Sequence, residues 1–223
     1  MKIYAINGGP RKGWNTDTML QKFLSGAASV DNQIQTEMVY LYDLNYKGCI
    51  SCYACQRADE NTYGQCQLKD DIYVLLREVP KSDGVVFGCP IYLNSQTSML
   101  RAFIERLVYQ YLNFDKKHVD SNAPKPLRTA MIYTMNVSEE SMKLSNYDHI
   151  LGSAERYLQR IFGFQPARLC AYNTYQFKEY SQYRASYWNE HQKAEHNRIR
   201  FPLDCQAAYD MGKQIATEIL NTE

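Results

Sequence analysis

The amino-acid sequence predicts an α/β fold: a five-stranded parallel sheet in the order 2-1-3-4-5, with helices layered on both faces. Three observations lead there. Short apolar runs alternate along the chain with stretches whose apolar residues recur at helical spacing. Such alternation implies strand–helix–strand units, hence a parallel sheet covered on both faces, and right-handed crossovers restrict five such strands to a doubly wound topology. The chain has 223 residues, 45% hydrophobic and 22% charged, which suits one domain over residues 1–223 with a core of ordinary composition.

The first strand is read at residues 2–7 (KIYAIN), apolar and ended by Gly8, Gly9 and Pro10. A helix follows over 16–28, where Met19, Leu20, Phe23 and Leu24 share one face. Residues 36–41 form the second strand. Residues 46–68 show no clean period and hold four cysteines. A short helix is expected over 70–79, with an aspartate at its start to cap the free N–H groups. Residues 84–88 (GVVFG) read as a strand buried on both faces. The strongest helical pattern lies over 96–112, with Met99, Leu100, Phe103, Ile104, Leu107 and Val108 as its stripe. Residues 128–135 and 168–172 are the fourth and fifth strands, separated by a helix over 150–162. An amphipathic helix is expected over 204–220. Between them, residues 172–188 mix aromatics with polar residues, the start of an insertion reaching to about 202.

Composition excludes several classes of function. The formal net charge is +1, which argues against nucleic acid or an anionic membrane as the partner. No leader pattern and no bilayer-length apolar run is seen, so the expected setting is cytoplasmic. There, four cysteines crowded between Cys49 and Cys66 point to a metal or redox centre more than to disulfides. His118, His149, His191 and His196 are scattered and are read as solvated or core residues.

The stretch Gly8-Gly9-Pro10-Arg11-Lys12-Gly13-Trp14-Asn15-Thr16 joins the first strand to the first helix. A doubly wound sheet places a phosphate there. Glycines permit positive φ and close approach, the helix start offers unpaired N–H donors, and Arg11 offers a fork for phosphate oxygens. Asn15 and Thr16 can cap the helix or bind the phosphate. The stretch is neither a Walker A loop nor a GxGxxG fingerprint. It resembles the Gly-Ser-Pro-Arg-x-x-x-Asn-Thr loop of the NADPH-dependent FMN reductase family, in which that loop wraps the flavin phosphate. Arg11, Asn15 and Thr16 match position by position; Gly9 replaces the usual Ser, and Trp14 a small residue.

A second match follows the third strand. Gly88-Cys89-Pro90-Ile91-Tyr92-Leu93-Asn94 is similar to the family's Gly-Ser-Pro-Ile-Tyr segment, which lies along the isoalloxazine ring. The ends of strands one and three flank the point where the strand order reverses, so their loops line one crevice. The resemblance therefore implies a flavodoxin-like fold and an FMN site built from Gly9, Pro10, Arg11, Lys12, Asn15, Thr16, Pro90, Ile91, Tyr92, Leu93 and Asn94. Fold geometry adds Thr134, Met135 and Asn136 from the end of the fourth strand.

Cys49, Cys52, Cys55 and Cys66 form a C-x2-C-x2-C-x10-C run. Thiolates at such spacing can converge on a metal or a cluster. The run resembles that of the iron–sulfur flavoprotein branch of the same family, where it holds a 4Fe–4S cluster. Free or redox-active thiols and a zinc site stay open. The function these resemblances imply is an FMN-dependent oxidoreductase. It would pass electrons from NADPH or NADH to a quinone, a free flavin or a redox protein, with no side-chain acid or base assigned. An electron carrier without its own small-molecule substrate is the alternative. A homodimer or homotetramer is expected, with the 172–188 tract read as a subunit interface ahead of an active-site lid.

Overall fold

A computed structural model of the chain describes residues 1–58, 61–114 and 121–221. His118 and positions 59 and 60 of the cysteine-rich loop lie outside the described residues. Five parallel strands form the sheet: β1 (Lys2–Asn7), β2 (Gln35–Tyr40), β3 (Gly84–Tyr92), β5 (Arg128–Thr134) and β6 (Ala167–Ala171), in the order β2-β1-β3-β5-β6. A two-residue strand, β4 (Ser95–Gln96), folds back antiparallel on the end of β3. The five parallel strands thus follow the expected 2-1-3-4-5 order. In register, Ile3 lies between Thr36 and Gly84, and Ala130 lies opposite Ala167.

Alternate residues of each strand enter opposite cores. Tyr4, Ile6, Val85, Phe87, Met131 and Tyr133 pack on one face under α3 (Ser98–Tyr109) and α5 (Tyr147–Phe162). Ile3, Ala5, Val86, Ala130 and Ile132 pack on the other under α1 (Asn15–Ala28) and α7 (Phe201–Leu220). The remaining helices are α2 (Leu75–Glu78), α4 (Glu139–Leu144) and α6 (Glu190–Ile199). Among the described residues no helix is long and apolar enough to cross a membrane.

Three elements differ from expectation, each for a local reason. The helix expected over 70–79 shrinks to α2 and a 3-10 turn at Val79–Lys81, where Pro80 has no N–H to continue the ladder. Asp70 does not cap it; Arg106 takes its carboxylate at 2.5 Å. Helices α4 and α6 carry too few apolar residues to show a stripe and are marked by their caps instead. The Ser138 hydroxyl accepts from Ser141 N (3.1 Å), and Asn189 Oδ1 accepts from Gln192 N (3.0 Å).

Helices α1 and α7 touch backbone to backbone. A Cβ on Gly212 would sit 2.0 Å from the Phe23 carbonyl oxygen, and one on Gly26 would sit 1.9 Å from the Tyr209 carbonyl oxygen. Backbone cannot rotate aside, so Gly212→Ala should destabilise the fold by about 1–3 kcal/mol, seen as a lower urea midpoint at unchanged slope. Once the helices have parted, the second methyl meets less resistance. The Gly26→Ala/Gly212→Ala double variant should therefore cost less than the sum of the singles. A wild-type midpoint for Gly212→Ala would show that this close approach is absent.

Candidate functional site

The C-terminal ends of β1, β3 and β5 converge on a cleft of about 570 Å³ including its mouth. The loop after β1 and the start of α1 line it with Gly9, Pro10, Arg11, Trp14, Asn15 and Thr16. The end of β3 adds Pro90, Ile91 and Tyr92, and the end of β5 adds Thr134, Met135 and Asn136. Thr174, Tyr175 and Gln176 complete the wall.

The loop after β1 is held from several sides. Gly8 N donates to Gly88 O (2.7 Å), and the Thr97 hydroxyl donates to Gly8 O (2.7 Å). Buried Asn7 accepts from Gly9 N at 2.8 Å and donates to Asp17 Oδ1 at 3.2 Å. Asp17 Oδ2 in turn accepts from Gly13 N at 2.6 Å. The positive φ expected of this turn falls at Gly13 (+73°); Gly9 is tight instead because a Cβ there would crowd Asn7 Oδ1 and Pro90. No side chain caps α1. Asn15 and Thr16 turn elsewhere: Asn15 Nδ2 donates to Tyr175 O (2.9 Å), and the Thr16 and Thr134 hydroxyls meet at 2.8 Å. The start of α1 therefore brings uncapped N–H donors and a positive dipole end to the cleft.

Three expected residues stand apart from the lining. Lys12 is held outward by Asp43 (2.5 Å). Leu93 and Asn94 form the two-residue turn between β3 and β4, both at positive φ (48° and 67°), as a tight hairpin with the sheet's twist requires. Leu93 is 99% exposed. The segment after Gly88 is thus a continued strand and hairpin rather than a loop.

The wall at Thr174, Tyr175 and Gln176 is not among the residues the sequence points to; the aromatic bias of its tract is its only signal. Arg11 donates to Gln176 O (2.7 Å) and stacks on Trp14, 4.1 Å from the ring centroid. Asn136 donates to Gln176 Oε1 (2.8 Å). The tract's rings pack on one another, with Phe177 stacked on Tyr183 at 4.2 Å and edge-on to Tyr180. Lys193 of α6 backs this wall: it is 4% exposed and donates to Asn136 O (2.8 Å) and to Asn136 Oδ1. Burial pulls its pKa down to about 8. Nothing in the polar sequence around Lys193 announces this position.

Cys49, Cys52, Cys55 and Cys66 line a second, shallow hollow, about 320 Å³ including the open solvent at its mouth, with Ile50, Tyr53, Leu68, Arg106 and Tyr109. Ser51 and Tyr53 both adopt left-handed φ (54°) on either side of Cys52, a costly conformation for such residues. Cys66 N donates to Gln110 Oε1 (2.9 Å). Burial, and then the Cys66, Cys49 and Cys52 thiols, push the Cys55 thiol up to about 11. The four thiols are therefore electrostatic neighbours. Among the described residues no three His, Cys, Asp or Glu side chains converge closely enough for a single ion.

The chain is similar to several known proteins. The family model for NADPH-dependent FMN reductase matches residues 1–138. An iron–sulfur flavoprotein of Archaeoglobus fulgidus is 33% identical over 106 residues, 48% of each chain. One of Methanocaldococcus jannaschii is 29% identical over 106 residues, 48% of this chain and 51% of that protein. The chain spans about half the length of these relatives. Among solved structures, an NAD(P)H:quinone oxidoreductase from Methanothermobacter marburgensis superimposes with a TM-score of 0.67 at 13% identity, covering 96% of this chain and 98% of the other. An azoreductase from Bacillus anthracis gives 0.64 at 13%, covering 96% and 99%. At such identity the likeness establishes the flavodoxin-like fold alone.

Lys193 gives the site a pH dependence. Below about pH 8 its amine is protonated in the folded and unfolded states alike, and the full cost of burying the charge is present. Between about pH 8 and the ordinary lysine value near 10.4, the folded state has released a proton that the unfolded state still holds. Stability from this residue therefore rises with pH over that window. Urea unfolding of wild type and Lys193→Met at about pH 7 and about pH 10 should show the wild type gaining on the variant as pH rises. A difference independent of pH would contradict the assignment.

Proposed function

The chain belongs to the NADPH-dependent FMN reductase family, and on that premise we propose that it is an FMN-dependent oxidoreductase drawing electrons from NADPH or NADH. One observation carries the reading: an uncapped helix start, Arg11 and two further strand ends meet in a single cleft. The residues present fit FMN. Backbone N–H groups at the start of α1, with Arg11, Asn15 and Thr16, would hold the phosphate. Pro90, Ile91 and Tyr92 would lie along the ring system, opposite Thr134, Asn136 and the 174–176 wall. When bound there, FMN would supply the redox chemistry that links a reduced nicotinamide to an acceptor such as a quinone, a free flavin or a redox protein. The chain's part is to orient the flavin and to shield one side of it. Lys193, charged at neutral pH behind Asn136, adds positive potential that suits an anionic ligand.

The donor set of the second cavity supports a 4Fe–4S cluster held by Cys49, Cys52, Cys55 and Cys66, and the iron–sulfur flavoprotein relatives support it independently. That centre also favours the second reading, an electron carrier serving redox partners. We place the protein in the cytoplasm as a homodimer or homotetramer. Exposed Tyr183 and Tyr187 support a contact between copies, which light scattering tests; a monomer mass at all concentrations removes it.

Two outcomes test the reading. Arg11→Ala should weaken FMN binding by about 1.5–3 kcal/mol, the range for a hydrogen bond to a charged group; unchanged affinity would remove Arg11 from the phosphate site. Mixed anaerobically with NADPH or NADH, the FMN-loaded protein should lose its oxidised-flavin absorbance at a rate that saturates with nicotinamide. Slow reduction without saturation overturns the reductase and leaves the carrier.

A further inference from the structure

Arg106, whose role here rests on the cluster reading above, is the one charged residue among the described walls of the thiol cavity. Its side chain is 1% exposed. Nη1 donates to Asp70 Oδ2 (2.5 Å) and to Lys47 O (3.0 Å), and Nη2 donates to Leu68 O (2.8 Å). Lys47 lies two residues before Cys49, and Leu68 two residues after Cys66. One guanidinium thus ties together the arms of chain that carry the first and last thiols. Its Nε, like Asp70 Oδ1, is buried with no hydrogen bond of ordinary geometry, and the Cys66 thiol lies within interaction range of the guanidinium in the same cavity.

An ordinary buried ion pair with Asp70 would explain the charge but not the orphan Nε–H, which is costly to bury. A neutral thiol is a weak acceptor, whereas an ionised acceptor makes a stronger and shorter bond. We propose that Arg106 is a positioning residue of the thiolate-bound centre: it pins both cysteine arms, and its Nε–H donates to the Cys66 sulfur once that sulfur is a ligand. Hydrogen bonds to ligand sulfurs and nearby positive charge favour the reduced, more negative state, so Arg106 raises the centre's reduction potential.

Wild type, Arg106→Lys and Arg106→Met, each reconstituted anaerobically with iron and sulfide, provide the test. Iron, sulfide and FMN contents are measured, and the potentials of cluster and flavin are titrated by electron paramagnetic resonance and absorbance. The lysine keeps a charge opposite Asp70, which preserves the fold, but has no Nε; the methionine lacks both. The cluster potential should fall in both variants, further in Arg106→Met, with the flavin potential unmoved. Iron lost from a variant that keeps its FMN also supports the pinning role. Full iron content at the wild-type potential in Arg106→Met overturns the proposal. A wild type that takes up no iron or sulfide overturns the cluster reading, and this inference with it.

Discussion

The close approach of the end of β1 to the start of α3 governs the arrangement of both sites. Gly8 is wedged there: a Cβ would lie 2.6 Å from Leu100 Cβ. Its carbonyl accepts from Thr97, and its N–H donates to Gly88. Thr97 also caps α3, accepting from Leu100 N at 3.4 Å. The same hydroxyl thus sets the exit of β1, from which the loop to α1 departs, and the start of α3. Because Gly8 is tied to β3 as well, and β3 is paired with β5, the strand ends that line the cleft share one fixed point.

Helix α3 carries that fixed point toward the cysteines. Thr97 precedes its first turn; Arg106, three residues before its end, holds the cysteine loop through Lys47, Leu68 and Asp70. The loop has little regular structure of its own, and its two left-handed residues are conformations a chain holds only when its surroundings over-determine them. The buried guanidinium and Gln110, just beyond the helix, provide such surroundings. The flavin cleft and the thiol cavity are thus organised from opposite ends of one rigid element.

The sheet order and the two loops are legible in the sequence because they depend on local chemistry. Apolar strands such as 84–88 and the stripe of α3 declare themselves by period, and Arg11, Asn15 and Thr16 by spacing after a strand. What stays hidden depends on distant partners. Lys193 reads as a solvated lysine on a polar helix, and only the fold brings it under Asn136. Arg106 reads as one more charge on α3, although the fold buries it against residues 36 and 59 positions away in sequence. The extension of β3 past Pro90 is hidden too. Proline and the Leu93–Asn94 turn suggest a loop, while the hairpin with β4 keeps the segment extended.

The central claim is that this cleft recognises a flavin through its phosphate. Comparing FMN with riboflavin by fluorescence titration tests it most directly, since the two differ only in that group. Phosphate held by several charge-assisted hydrogen bonds of about 1.5–3 kcal/mol each predicts one FMN per chain, with riboflavin bound weaker by at least about two orders of magnitude. Equal affinity for the two, or no binding of FMN, would contradict the account.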